Sequence, residues 1–316
     1  MTFGEMEIGR SYSDTFLVAD IMEKTAKTGK TFVTFTLLDG ETEARAMMFD
    51  ASIDMLKEMG VEKEGLVRCD ISVSDFNGKS YQVRKIEALP ASEEELKKFV
   101  IMPPYSPKLL FDRIVAVIEE IDAPDTGSLK ALTLSLLKAH EEAFIRSSAA
   151  KSVHHNIYGG LAYHTSRMVC VAKNLLLTYI RLDEELLLCG TALHDLGKIV
   201  ELDTTAIGNA SYSVRGRLLG HATICIGMIH DEAQKGDYDP ERILLLEHMI
   251  ASHHGRLEWG AIAVPAIKEA MCLNYIDQID AKMYQYEEAM KAAEPGCLTD
   301  RTLVMDEWLS YRPKGE

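Results

Sequence analysis

Seven histidine and aspartate residues lie on apolar, helix-like segments in the second half of the chain. They restrict its fold more than any other feature, and they are His164, His194, Asp195, His221, His253, His254 and Asp277. A bare imidazole or carboxylate costs several kcal/mol to bury unless a partner satisfies it. A divalent metal ion satisfies many such groups at once, because imidazole nitrogen and carboxylate oxygen are suitable ligands for zinc, iron, manganese, cobalt and nickel. The pattern therefore predicts several helices that converge on a shared metal centre.

The alternative for each of these residues is that it is a core side chain whose polar atoms are hydrogen-bonded within the protein. His164, for example, shares one helical face with Leu161 and Met168, where a lone histidine is usually part of the core. The adjacent pairs His194-Asp195 and His253-His254 are harder to explain in that way. Taken as a set, the seven residues favour metal ligation.

The first 90 residues are predicted to form a small β-barrel. Five short segments have the pattern of β-strands, with apolar residues that alternate with polar ones or follow one another between turn residues. They are TFLVADIMEKTA, TFVTFTLLD, EARAMMFD, LVRCDISVSDF and SYQVRKIEAL. Gly29-Lys30 and Asn77-Gly78 are hairpin signals, because glycine supplies the positive φ that tight turns need. Together with a helical piece at ASIDMLKEMG, the strands suit a barrel of the OB type. A five-stranded SH3-like barrel fits the periodicity nearly as well.

From Ala91 onward the pattern becomes helical. Ser92 and Glu95 have the spacing of a capping box, and MPPYSP at residues 102–107 is a rigid break. We therefore predict a multidomain α and β protein with a barrel at residues 1–90, a helical linker at 91–125 and an all-α bundle at 126–316. A chain of 316 residues is long enough for two domains.

Composition narrows the function classes. A net charge of −15 argues against a broad basic surface for duplex nucleic acid, although it leaves a local groove open. No apolar run approaches the ~18–20 residues that span a bilayer. The first ten residues lack the pattern of a secretory signal, and six scattered cysteines fit reduced thiols. We expect a cytoplasmic protein without membrane contact.

The metal-binding pattern resembles a known family. The order His164, His194-Asp195 and Asp277 resembles that of the HD-domain metal-dependent phosphohydrolases, and His221 with His253-His254 resembles the subset that holds two metals. Five longer motifs are similar to the bacterial YhaM-type 3′-5′ exoribonucleases: HHNIYGGLAYHT, TALHDLGKIVEL, RGRLLGHATI, ASHHGRLEWGAIAVP and NYIDQIDAKM. The resemblance covers most of the chain, including KTAKTGKTFVTFTLLDGE in the barrel. Two features depart from it: residues 1–90 carry 11 Lys/Arg against 16 Asp/Glu, and Asn274 stands where histidine or alanine is commoner.

The resemblance implies an OB-fold followed by an HD domain that degrades RNA, and also single-stranded DNA, from the 3′ end. It implies two divalent ions, manganese foremost, with Fe, Co, Ni, Zn or Mg as alternatives. One ion would be held by His164, His194, Asp195 and Asp277, and Asp195 would bridge to a second ion held by His221, His253 and His254. Such a pair orients a water, lowers its pKa and stabilises charge on the phosphodiester.

Further residues receive roles around this centre. Asp195 and Lys198 are the catalytic candidates, with Lys198 neutralising the scissile phosphate, and Asp280 is expected to orient a ligand or a water. Candidates for substrate contact are His155 and Arg215 in the helical part and Lys24, Lys30 and Phe32 in the barrel. An aromatic ring such as Phe32 can stack on a base without sequence preference.

Three functions stay open at this point. The first is an exonuclease on single-stranded RNA or DNA. The second is an HD phosphohydrolase of small nucleotides or cyclic nucleotides, although the chain lacks the Gly-Tyr-Pro of the cyclic-dinucleotide branch. The third is a nucleic-acid-binding protein with a residual metal site, which the intact set of seven ligands disfavours. Assembly into a homo-oligomer also stays open.

Overall fold

The computed structural model divides the chain into two compact units. It describes residues 1–26, 29–76, 78–149, 157–205, 207–299 and 309–315. The first unit comprises Met1–Met102 and Thr205–Asn209, and the second comprises Pro103–Thr204 and Ala210–Glu316.

The first unit contains a closed five-stranded barrel. Its strands are β1 (Ser11–Thr25), β2 (Thr31–Leu38), β3 (Glu43–Phe49), β4 (Leu66–Asp75) and β5 (Lys79–Leu89), with helix α1 (Ile53–Glu58) between β3 and β4. The strands close in the order β1-β2-β3-β5-β4, with β3 and β5 parallel and the other pairs antiparallel. This is the OB-type barrel, so the first of the two predicted barrel types is confirmed.

Alternation along β2 separates the barrel interior from its outer surface. Val33, Phe35 and Leu37 are fully buried, whereas Phe32 keeps part of its surface exposed on the opposite face. The turn before β2 contains Gly29 at φ +83°, a left-handed conformation that glycine adopts without strain. The period of two and the turn chemistry were both readable from the sequence.

The second unit is built almost entirely of helices. After the short α2 (Glu93–Leu96) of the first unit, they are α3 (Pro107–Glu119), α4 (Leu129–Ala139), α5 (Glu141–Arg146), α6 (Gly160–Thr178), α7 (Glu184–Leu193), α8 (Lys198–Glu201), α9 (Val214–Ala233), α10 (Pro240–Ser252) and α11 (Lys268–Ala292). A short antiparallel hairpin of β6 (Leu202–Thr204) and β7 (Ala210–Tyr212) lies between α8 and α9. Three residues per strand are too few to show a period in the sequence, which predicted only helices here.

The segment predicted as a linker is divided between the two units. Ser92 and Glu95 form the expected capping box: the Ser92 amide donates to the Glu95 carboxylate at 2.8 Å. Helix α3 instead belongs to the core of the second unit, where Phe111 and Ile114 are buried. Ser106 caps its first turn by accepting from the Leu109 amide. Among the helices of the described residues, none combines the length and apolarity that crossing a membrane requires.

Candidate metal centre

His164, His194 and Asp277 form the first ligand group. His164 lies on α6, His194 directly follows α7, and Asp277 lies on α11. One ligand atom from each lies within 4.8 Å of the others. The His164 Nε2 atom is 3.3 Å from Asp277 Oδ1 and 3.3 Å from His194 Nε2. Both histidines are fully buried, so the three helices aim their polar groups into one small volume.

His221, His253 and His254 form the second ligand group. Their ligand atoms also lie within 4.8 Å of one another, and the Nε2 atoms of His221 and His253 are 3.3 Å apart. Gly220 interrupts α9 with φ 71° and ψ 154°, so that His221 begins a new helical stretch. His253 and His254 directly follow α10, at the end of that helix.

Asp195 lies between the two groups and presents one carboxylate oxygen to each. Its Oδ2 atom is 3.3 Å from His194 Nε2 and 3.7 Å from His164 Nε2. Its Oδ1 atom is 3.4 Å from His221 Nε2 and 3.9 Å from His253 Nε2. Asp195 would therefore be able to supply one oxygen to an ion held by each group.

Two buried atoms of the centre lack a hydrogen-bond partner among the described residues. They are Asp195 Oδ1 and His254 Nδ1. A buried polar atom left unsatisfied is costly, and native structures contain few of them. Oxygen and nitrogen acceptors that converge in this way fit a divalent cation, so the donor set is suitable for two ions of the zinc, manganese or iron type.

The far ring nitrogens of His194 and His253 are held by the ends of their helices. His194 Nδ1 is 2.8 Å from the carbonyl oxygen of Thr191, and His253 Nδ1 is 2.7 Å from that of Ile250. In both cases the acceptor lies three residues earlier. A carbonyl can only accept, so Nδ1 carries the proton and Nε2 presents its lone pair to the centre.

Carboxylates hold the far ring nitrogens of two more of the histidines, His164 and His221. His164 Nδ1 is 2.7 Å from Asp280 Oδ2, and the other oxygen of Asp280 accepts from Arg167 Nε at 2.6 Å. His221 Nδ1 is 3.1 Å from both oxygens of Glu201. Asp280 was predicted as an orienting residue, but Glu201 was missed. An acid inside the apolar run KIVEL was the available signal.

Lys198 contacts the carboxylate that lies between the two groups. Its ammonium is 2.6 Å from Asp195 Oδ2, at the start of α8, and its side chain is 12% exposed. Burial lowers the pKa of Lys198, but Asp195 outweighs burial and raises it. Burial likewise raises the pKa of Asp195, but Lys198 and His194 hold it well below its usual range. The pair is therefore ionised.

The histidines differ in protonation. Burial alone would lower the pKa of His164, but its hydrogen bonds to Asp277 and Asp280 raise it to about 9. Burial and the neighbouring histidines lower the pKa of His253 and of His254. His253 and His254 are thus neutral at pH 7, which is the form that binds a metal.

Close packing fixes the backbone around both groups. A Cβ on Gly197 would lie 2.0 Å from the carbonyl oxygen of His221, so only glycine fits there. A Cβ on Gly255 would lie 2.4 Å from the Asn274 side chain. Asn274 also donates to the His253 carbonyl at 2.7 Å. The residue that departs from the expected motif therefore supports the His253-His254 turn.

The predicted substrate contacts are more dispersed. Arg215 is exposed in the first turn of α9, and His155 lies outside the described residues. In the barrel, Lys24 and Phe32 are register partners on β1 and β2, and Lys30 forms an exposed ion pair with Asp50 at 3.2 Å. These roles stay predictions.

The outer surface of the barrel also carries an aromatic pair. The Phe32 ring lies 5.9 Å from that of Phe49 on β3, which is 50% exposed. Phe35 and Tyr81 belong to the barrel core instead.

Comparisons with known proteins give one family match and several structural similarities. Residues 161–282 match the family model of the HD domain. The barrel is similar to the mitochondrial single-stranded DNA binding protein Rim1 from S. cerevisiae, with 18% identity, a TM-score of 0.23, and coverage of 28% of this chain and 100% of that chain. It is also similar to the second OB-fold domain of replication protein A from Methanococcus maripaludis, with 17% identity, a TM-score of 0.24, and coverage of 29% of this chain and 96% of that chain. The type of barrel is given by its own strand order.

Proposed function

We propose that this protein is a 3′-5′ exonuclease of the YhaM type, which hydrolyses the phosphodiester bonds of single-stranded RNA and also accepts single-stranded DNA. Its architecture of an OB-type barrel and an HD domain supports a metal-dependent phosphohydrolase that binds nucleic acid. The observation that carries the proposal is Asp195, whose two oxygens face two different ligand groups. A residual site in a binding module would have no need of such an arrangement.

The side chains of the centre have different roles in hydrolysis. His164, His194 and Asp277 would hold one divalent ion, and His221, His253 and His254 would hold the other, with Asp195 shared. When bound, such ions lower the pKa of a water and stabilise charge on a phosphodiester. Lys198 holds Asp195 ionised and places a buried positive charge beside it, where it can also meet a phosphate oxygen of the substrate.

The barrel contributes binding of the strand. Phe32 and Phe49 form an aromatic pair on its outer face, with Lys24 in register beside Phe32. Stacking contributes ~1–3 kcal/mol per base and tolerates any sequence. This combination suits an enzyme that degrades strands of many sequences.

End-labelled RNA tests the activity directly. We expect a single-stranded RNA with a 5′ label to give a ladder that shortens from the 3′ end when Mn²⁺ is present, and no products with EDTA. A circular RNA of the same sequence has no end and should stay intact. Cleavage of the circle would contradict exonuclease action. An intact linear RNA together with turnover of small nucleotides would favour the small-nucleotide phosphohydrolase instead.

Asp195→Asn tests whether the centre catalyses RNA hydrolysis. It keeps the volume of the side chain but removes the charge that both ligand groups share, so RNA hydrolysis should fall by several orders of magnitude. Asp203→Asn is the control, because Asp203 is an exposed aspartate on β6 outside the ligand groups. Equal activity of the two variants would refute the assignment of the centre.

A further inference from the structure

Two exposed aromatic rings of the second unit each lie under an arginine. The guanidinium carbon of Arg217 is 5.3 Å from the ring centroid of Tyr212, and that of Arg256 is 4.8 Å from the ring of Trp259. Tyr212 is 42% exposed and Trp259 is 54% exposed. An arginine over a ring presents a flat aromatic surface and a positive charge at the same place.

Both pairs belong to chain segments that are joined directly to the second ligand group. Arg217 precedes His221 by four residues, and Arg256 follows His254 by two. The rings of His221 and His254 are 5.1 Å apart, so the two segments meet at the candidate metal centre. Each pair therefore lies within a few residues of a histidine of the second ligand group.

The segment that carries Tyr212 and Arg217 is anchored to Glu201. The Ser213 amide donates to the Glu201 carbonyl at 2.9 Å, and a Cβ on Gly216 would lie 2.2 Å from that same oxygen. Glu201 in turn holds His221. One residue thus fixes the position of the first aromatic pair relative to a metal ligand.

The segment that carries Arg256 and Trp259 is a tight turn. The amides of Trp259 and Ala261 both donate to the Arg256 carbonyl, at 3.0 and 3.1 Å. Gly255 packs against Asn274, which fixes where this turn leaves the ligand group. Backbone hydrogen bonds and close packing therefore hold the segment of the second pair as well.

The charge of the first segment differs from that of the whole chain. No aspartate or glutamate lies between Asp203 and Asp231, although the chain has 49 acidic residues and a net charge of −15. Arg215 and Arg217 lie within this stretch, and both are exposed. An acid-free segment beside a phosphodiester site is suited to a polyanion.

We propose that Tyr212–Arg217 and Trp259–Arg256 form a binding surface for the nucleotides next to the cleaved bond of a single strand. Bases stack on the two rings, and the guanidinium groups meet phosphate oxygens. The surface accepts any sequence, because every base has an aromatic face. It rests on the proposed exonuclease function and adds a strand contact within the helical unit itself.

Kinetics on two substrates test the surface. One substrate is 5′-labelled oligouridylate, and the other is bis(p-nitrophenyl) phosphate, a small chromogenic phosphodiester. For Tyr212→Leu and Trp259→Leu, the ratio of kcat/KM for oligouridylate to that for the small ester should fall at least about fivefold, mainly through KM. Tyr212→Phe and Trp259→Phe keep a ring and should retain most of the ratio.

Tyr179→Leu is the matched control. Tyr179 is 57% exposed and directly follows α6, about 22 Å from His164 along the helix axis at 1.5 Å per residue. An unchanged ratio in both leucine variants overturns the surface. It is also overturned if those variants change only the oligomeric size of the protein on gel filtration, since the rings would then contact another protein chain.

A binding measurement separates this surface from the exonuclease proposal. If the wild type cleaves the small ester but leaves oligouridylate intact, the exonuclease function fails. The fluorescence anisotropy of the labelled oligouridylate in EDTA then tests the surface alone. Weaker binding by both leucine variants supports it, and binding equal to the wild type overturns it.

Discussion

The Nδ1 atom of His221 lies 3.1 Å from both carboxylate oxygens of Glu201, while its Nε2 atom faces Asp195 Oδ1 at 3.4 Å. Glu201 also accepts from the backbone amide of His221 at 3.0 Å. Burial raises the pKa of Glu201, but its hydrogen bonds with His221 lower it below the usual range. An ionised carboxylate therefore fixes both the ring and the backbone of one candidate metal ligand.

Loss of Glu201 should weaken one metal site more than the other. We expect Glu201→Ala to lower the affinity for the ion at His221, His253 and His254 by about 10–100-fold, the usual effect of removing such a partner. Glu201→Gln keeps an oxygen acceptor for His221 and should lose less. Equilibrium dialysis against Mn²⁺ with metal analysis measures both sites, and Asp203→Asn is the control. Two ions bound to Glu201→Ala with wild-type affinity would contradict the role of Glu201.

Lys198→Met should destabilise the metal-free protein. The substitution leaves Asp195 buried beside the histidines without its ammonium partner, and breaking a buried pair in this way costs about 3–5 kcal/mol. Mn²⁺ supplies positive charge to the same carboxylate, so the difference from wild type should shrink when metal is added. Urea unfolding in EDTA and in Mn²⁺ measures both values. A difference that is the same in the two conditions would show that no ion reaches Asp195.

Much of this molecule could be predicted from sequence because its patterns are local. The alternation of Val33, Phe35 and Leu37 gave the face of β2, and the pairs His194-Asp195 and His253-His254 gave the residues that meet in space. The sequence leaves the barrel type open between two folds, because the order in which strands pair is decided by contacts distant in sequence.

The parts that the sequence did not reveal depend on tertiary contacts. In the sequence little distinguishes Glu201 from other acidic residues. Its role follows from the fold, in which the turn at Gly220 places His221 against its carboxylate. Asn274 departs from the expected motif, and its role appears only through its contacts with His253 and Gly255. The periodicity of apolar residues along the sequence does not indicate tertiary contacts of this kind.

The stability of the metal-free protein should depend on His164. Its pKa is raised from 6.5 to about 9 in the folded protein, so its protonated form stabilises the fold fully below pH 6.5. That contribution, on the order of 3 kcal/mol, is lost as the pH rises toward 9. Urea unfolding in EDTA should show a difference between wild type and His164→Gln that shrinks over this range. A difference independent of pH would contradict protonation of His164.

Two glycines provide a steric test of the centre. Gly197→Ala places a Cβ 2.0 Å from the His221 carbonyl, so the backbone must shift, and both stability and metal content should fall. Gly227→Ala is the matched control on α9, where a Cβ meets nothing within 4 Å. It should stabilise the protein by roughly 0.5–1 kcal/mol, because alanine loses less backbone entropy in a helix. Thermal unfolding and metal analysis distinguish the two, and an unaltered metal content in Gly197→Ala would contradict the close packing around His221.

The aromatic pair on the barrel should contribute to strand binding. Phe32→Ser with Phe49→Ser removes both rings from the outer surface without opening the core, because Phe49 is 50% exposed and Phe32 faces away from Phe35. We expect the affinity for single-stranded RNA to fall about 5–150-fold, since stacking contributes ~1–3 kcal/mol per base. Phe76→Ser is the control, as a phenylalanine that is 78% exposed and directly follows β4. Fluorescence anisotropy with labelled RNA measures the change. Equal affinity of the double variant and the control would contradict strand binding by the Phe32–Phe49 surface. It would also contradict the predicted substrate contact of Lys24, which lies beside Phe32.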